Sequence, residues 1–262
     1  MNLDLTQKTA LVCGSSQGIG RATAVELALL GANVILMARN AESLQAVKNT
    51  LDTSRGQRHA LAVADFSQSG SVKAALTELL TMQPVIHILI NNTGGPAGGP
   101  LIEATEEAFV QTFHNHLINN QTLVQMLVPG MREAGYGRIV NIISTSVKQP
   151  IAGLGVSNTI RGAVAQWAKT LSLELGPWGI TVNNVLPGYT RTARLDAVLD
   201  MRAKSSGKTT DEVADQMERE IPIGRFATAE EVAAAAAFLC TPAAASISGI
   251  NVPVDGGKTG GL

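Results

Sequence analysis

A chain of 262 residues that is 45% hydrophobic is long enough to bury one large core, and α/β chains of this size commonly form one domain, the expectation for residues 1–262. A formal net charge of −1 with no block of like charges gives no basis for nucleic acid or a membrane surface as partner and points to a small-molecule ligand. The two cysteines, Cys13 and Cys240, lie in apolar surroundings and make no disulfide framework. The N-terminus lacks a basic segment followed by an apolar one, and no apolar run reaches membrane-spanning length, so a cytoplasmic protein with no membrane partner is expected. No metal site is expected.

The first element is the apolar run Ala10, Leu11, Val12. It enters a loop holding Gly14, Gly18 and Gly20 that leads straight into a helical pattern over residues 21–30, with Ala22, Val25 and Leu29 at helical spacing and Gly31 at the C-cap. Strand, glycines and helix in that order suit a dinucleotide. Glycine tolerates positive φ, lets a pyrophosphate approach the backbone, and leaves the N–H groups of a helix N-terminus free. A tight turn followed by close helix–strand packing uses the same residues, so context decides.

Residues 33–38 read as a second buried strand, closed by Arg39, and Leu44, Val47 and Leu51 give the following helix one apolar face. Residues 59–64 form a third strand running into Asp65; Val72, Ala75, Leu76 and Leu79 mark a third helix, and 85–90 a fourth strand. Residues 91–100 (NNTGGPAGGP) are too rich in Gly and Pro to be regular and follow a strand at the edge where ligands bind in such sheets. A long helix over 105–131 comes next, then a strand at 137–143, a helix at 158–175 ended by Gly176 and Pro177, and a strand at 180–186. Residues 189–225 are polar and charged, with little apolar periodicity before Val213, and are a candidate lid over the site. Thr228 and Glu231 form a capping box for a helix through Cys240, and 250–254 is the seventh strand. Alternating strands and helices predict an α/β, doubly wound, Rossmann-type domain with a seven-stranded parallel sheet covered on both faces.

The stretch Cys13, Gly14, Ser15, Ser16, Gln17, Gly18, Ile19, Gly20 resembles the TGxxxGIG cofactor loop of the short-chain dehydrogenase/reductase family, with Cys13 in place of threonine. Four further stretches agree in the expected order. Asn91, Asn92, Thr93 and Gly94 resemble the NNAG motif, and residues 141–144 the strand leading to the active serine, here Ser144. Pro187 and Gly188 with Thr192 resemble PGxxxT on the nicotinamide side, and residues 254–257 the C-terminal VDGG. Within the family the likeness is to 3-oxoacyl-acyl-carrier-protein reductases, helped by residues 222–225 and Gly249.

The family's chemistry rests on a tyrosine, a lysine four residues later, a serine thirteen residues before the tyrosine, and an asparagine on the long helix. Counting from Ser144 reaches Ser157 and then Arg161, where YxxxK would stand. Counting back from Pro129, which resembles the proline ending the long helix, places His116 at the asparagine position, with Asn115 just before it. The serine is kept and the other three are not. Serine is a poor acid, and Arg161 keeps a positive charge that could bind ribose hydroxyls but cannot give up a proton in a useful pH range. His116, Lys148 and Tyr189 are the candidate replacement acids.

At the end of the second strand, where Asp or Glu would bind the 2′-hydroxyl of NAD, the chain offers Ala38 and Arg39, which argues for NADP ahead of NAD. Asp65 resembles the family's adenine-contacting acid and Asn91 its next contact. The resemblance implies a homotetramer in which helices 105–131 and 158–175 pair across a two-fold axis, with Trp167 either an interface anchor or a core residue. Two functions follow: an NADP-dependent oxidoreductase acting on a carbonyl or alcohol with a rearranged proton path, or a dinucleotide-binding protein with little or no turnover, a sensor or silent subunit.

Overall fold

Seven strands pair in parallel, in the order β3-β2-β1-β4-β5-β6-β7. They are β1 (Thr9–Cys13), β2 (Asn33–Ala38), β3 (Ala60–Val63), β4 (Ile88–Asn91), β5 (Gly137–Ile142), β6 (Ile180–Pro187) and β7 (Asn251–Val254). The computed structural model describes residues 1–261. The strands form where apolar runs are nearly continuous, because a parallel sheet is buried on both faces. β1, β4 and β5 are buried at every position.

Helices cover both faces. One core packs Val12, Leu36, Ile90 and Val140 against α1 (Gly18–Leu29), α2 (Ala41–Lys48) and α9 (Ala229–Leu239). The other packs Leu11, Ile35, Leu89 and Ile139 against α3 (Ser71–Met82), α5 (Asn119–Glu133) and α6 (Gly155–Leu175). The strand order reverses between β1 and β4, and the loops after those strands part there, opening the crevice where ligands of such sheets sit.

Two expectations need correcting. The long helix expected over 105–131 is not one continuous α-helix. After α4 (Glu106–Phe113) a π-turn at His114–Ile118 joins it to α5, which runs through Pro129 to Glu133. The helix expected over 158–175 begins three residues earlier, at Gly155. Residues 189–225, for which the sequence shows only polarity and little apolar periodicity before Val213, contain α7 (Ala193–Ser206) and α8 (Thr210–Arg219). Helices this short are marginal in water alone. They hold because Leu195, Leu199, Val213, Met217, Ile221 and Phe226 bury one another in a small separate core, each such burial being worth about 1.5–3 kcal/mol. The capping box at Thr228 and Glu231 is present, and Thr209 and Glu212 form a second one on α8.

Both thiols are buried and free, and burial pushes each upward, Cys240 to about 12. No helix among the described residues is long and apolar enough to cross a membrane.

Candidate active site

Gly14 and Gly18 take φ of +60° and +54°, conformations an L side chain resists. A Cβ on Gly14 would stand 2.7 Å from the Asn92 backbone oxygen, so the loop after β1 packs backbone to backbone on the loop after β4. The Asn92 amide reinforces this, donating to the carbonyls of Cys13 and Gly14 at 3.3 Å each. Sequence reasoning gave Asn92 no role beyond its motif, because the contact spans the strand crossover.

Gln17 at the N-cap of α1 supplies no side-chain cap, and the first turn carries no acidic residue. The leading N–H groups and the positive end of the helix dipole are therefore available to an anion, and the cradle fits a dinucleotide pyrophosphate.

A cleft of about 1430 Å³ runs from this loop across the C-terminal ends of the strands. Gly14, Ser16, Gln17, Gly18 and Ile19 line it, as do Arg39, Asp65 and Gly94, then Ser144, Ser157 and Arg161, and finally Pro187, Gly188 and Thr192. Five of the site residues singled out from sequence do not line it, Lys148 among them. Ser15 is buried behind the loop with its hydroxyl unpartnered, and Gly20 packs against the carbonyl of Gly14. Asn91 and His116 face a separate small hollow shared with Asn120, Ile143 and Val164.

Asn91 is held by a ladder invisible in the sequence. Its amide donates to Asn141 Oδ1 at 2.8 Å, Asn141 donates to Asn184 at 2.9 Å, and Asn184 to Asn251 at 2.8 Å, one rung on each of β4, β5, β6 and β7. The four residues stand opposite one another in the strand register.

His116 is in the π-turn and buried. Burial, aided by the charge of Arg161 and opposed by a hydrogen bond with the Gly94 backbone, pushes the imidazole down to about 3. It is neutral near pH 7 and has no imidazolium proton to give. Lys148 is exposed and does not line the cleft; Tyr189 does, its hydroxyl accepting from Arg202 Nη2 at 3.2 Å. Asn115, beside His116, also lines it.

Ser157 and Arg161 share a face of α6 because they are one turn apart. Arg161 donates from Nε to Ser157 Oγ (3.1 Å), and from Nη1 to the carbonyls of Ile142 (3.2 Å) and Ile143 (2.9 Å) at the end of β5. Burial, with Arg194 nearby, pushes its guanidinium down to about 10. Ser144 Oγ accepts the Ser146 N–H at 3.1 Å, which turns its own proton toward other acceptors. At the far end, Ser67 donates its N–H (2.9 Å) and hydroxyl (2.7 Å) to Asp65, holding the carboxyl below its usual range, with a smaller contribution from Arg39. Arg39 is exposed and makes no ion pair among the described residues. The arrangement joins an anion cradle, an exposed cation at the end of β2, and two hydroxyls on the same cleft as a guanidinium.

A family model described as enoyl-(acyl carrier protein) reductase matches residues 14–259. The chain is 32% identical over 255 residues to the 3-oxoacyl-[acyl-carrier-protein] reductase FabG of Pseudomonas aeruginosa, covering 97% of this chain and 98% of the relative. It is 28% identical to the NADPH-dependent reductase BacG of Bacillus subtilis, covering 97% and 98%. The crystal structure of L-sorbose reductase from Gluconobacter frateurii, complexed with NADPH and L-sorbose, superimposes with a TM-score of 0.93 at 30% identity, covering all of both chains.

Proposed function

The chain belongs to the short-chain dehydrogenase/reductase family, and from that premise we propose that it is an NADP-dependent reductase of carbonyl compounds, with 3-oxoacyl compounds the first candidates, working without the usual tyrosine and lysine. The observation that carries this reading is that Ser144, Ser157 and Arg161 open onto the same cleft as the glycine loop. A pure binding protein has no need of hydroxyls and a guanidinium at that end.

When bound, the dinucleotide supplies the hydride. Ser144 and Ser157 donate hydrogen bonds to the substrate oxygen as negative charge grows on it. Ser157 is oriented for this, because its oxygen already accepts from Arg161 Nε and its own proton is left free. Arg161, fixed by two strand-end carbonyls, stabilises that charge without transferring a proton. Such preorganised stabilisation is worth about 10²–10³-fold per group; the proton itself comes from water through the open cleft. His116, neutral and buried, hydrogen-bonds the Gly94 backbone and gives no proton to the substrate. Gly14, Ser16 to Ile19, Gly94, Pro187, Gly188 and Thr192 hold the dinucleotide, Arg39 takes its 2′-phosphate, and Asp65 meets the adenine. α7 and α8 serve as the lid.

In this reading the protein is a cytoplasmic homotetramer, in keeping with its free buried thiols and with the exposed apolar side chains Val110, Phe113, Ile118 and Leu173 on the helices concerned. Trp167 is half-buried and donates to Gln121 within the protomer, across α5 and α6.

The test is NADPH oxidation against a panel of ketones and 3-oxoacyl thioesters, beside an NADPH titration followed by nicotinamide fluorescence. Turnover is expected on at least one carbonyl. Tight binding with no oxidation, in the native protein and in Ser157→Tyr with Arg161→Lys, would hand the site to the alternative of a dinucleotide-binding protein without turnover.

A further inference from the structure

A Cβ built on Gly95 would stand 3.5 Å from Nη2 of Arg161 and 3.9 Å from Nη2 of Arg194, with no other atom outside its chain neighbours within 4 Å. Two guanidinium groups thus converge on one point above bare backbone. Arg161 uses its Nε and Nη1 on Ser157, Ile142 and Ile143, and its Nη2 makes no hydrogen bond. Arg194 gives only one, from Nη2 to the carbonyl of Pro96 at 2.8 Å. Donors remain on both forks.

Neither arginine has a counter-ion among the described residues, whereas Arg191 and Lys258, on the same cleft, are neutralised by Glu218 and Glu220 at 2.7 Å each. The carboxylates that line the cleft are Glu26, Asp65 and Glu230; between residues 92 and 202 the lining has none. Two like charges held together without an acid repel at a cost that an oxyanion between them would reverse, with charge-assisted hydrogen bonds from both. Leu154, Val198 and Met201 add an apolar wall to this end.

We propose that the substrate carries a carboxylate or phosphate group, seated against Gly95 between Arg161 and Arg194. The proposal rests on the reductase reading of the cleft and narrows its substrate to small anionic carbonyl compounds. Gly95 is part of the device: a methyl there would occupy the seat without removing either charge, and the backbone at Gly95 is outside the left-handed region, so alanine is accommodated.

The experiment measures, by ligand-observed NMR on protein saturated with NADP⁺, the binding of acetoacetate against methyl acetoacetate, and of dihydroxyacetone phosphate against dihydroxyacetone. At least one anion should bind about tenfold or more tighter than its neutral partner, the usual worth of one charge-assisted hydrogen bond, and the stronger pair identifies carboxylate or phosphate. Arg194→Gln and Gly95→Ala should each remove that preference while NADP⁺ affinity stays within about twofold. Equal binding of anion and neutral in both pairs overturns the proposal. So does an Arg194→Gln variant that loses NADP⁺ affinity as much as anion affinity, since the pair would then serve the dinucleotide. Failure of the reductase reading registers separately, as absence of NADPH oxidation, because the NMR measurement requires no turnover.

Discussion

A Cβ on Gly14 would come within 2.7 Å of a backbone oxygen, whereas one on Gly95 would meet only the tips of two arginines, at 3.5 and 3.9 Å. The glycine loop and the Gly95 end lie on one cleft but follow different rules. At the first, main chain abuts main chain and neither side can give, so residue identity is fixed by sterics. At the second, long arginine side chains from α6 and α7 reach backbone carbonyls at the end of β5 and in the loop after β4, and chemistry can change while the fold stays. That is where serine and arginine stand in the positions of tyrosine and lysine.

The contrast breaks most sharply at Gly14. Gly14→Ala combines φ of +60° with a collision against Asn92, so urea unfolding should show a loss of about 3 kcal/mol and NADPH titration no measurable binding. A stable Gly14→Ala protein with normal NADPH affinity would end the comparison. Next comes Arg161→Met, expected to lower turnover by about 10²–10³-fold with NADPH still bound. The pH dependence sharpens it. Arg161 is charged below its pKa of about 10, so activity should fall as pH rises through that value; an inflection near 6.5 in its place would restore a titrating histidine to the mechanism.

Arg39→Ala should cost about tenfold in NADPH affinity and leave NADH unchanged, as read by fluorescence titration. The smallest effect concerns stability. His116 and His87 are pushed from an ordinary value near 6.5 to about 3 and about 4, chiefly by burial. The unfolded chain therefore binds more protons between those values, and the folded state loses stability as pH falls below 6.5. The urea midpoint should drop between pH 6.5 and about 4.5, before carboxylates titrate, and the drop should shrink in His116→Leu.

The strands were legible in the chain because a sheet buried on both faces writes itself as apolar runs such as residues 33–38. The glycine loop was legible because main-chain packing leaves few residue choices. α7 and α8 were not, since each buries only a pair of residues one turn apart, Leu195 with Leu199 and Val213 with Met217, on otherwise polar helices; the Thr209 and Glu212 capping box was the overlooked signal. The π-turn at His114–Ile118 carries no composition of its own, and it turns His116 inward while Asn115 reaches the cleft. Arg194 lies 99 residues from Gly95 in the chain, and no periodicity announces such a meeting. Ser144, Ser157 and Arg161 were found by their spacing within a family pattern, but the bond from Arg161 to Ser157 needed the fold.

The asparagine ladder has a consequence for assembly. A one-residue slip of β5 or β6 would carry its asparagine to the opposite face, stranding amides of Asn91 and Asn141 that are almost wholly enclosed. The side chains thus proofread the alignment that main-chain bonds, repeating at every rung, would accept in more than one frame. Three of the amides each give to the next and Asn251 only accepts, so the row resembles a keyed lock whose last pin is Asn251, the exposed member on the C-terminal strand. A frame error in β5, β6 or β7 would therefore surface as an unpaired amide somewhere along the row.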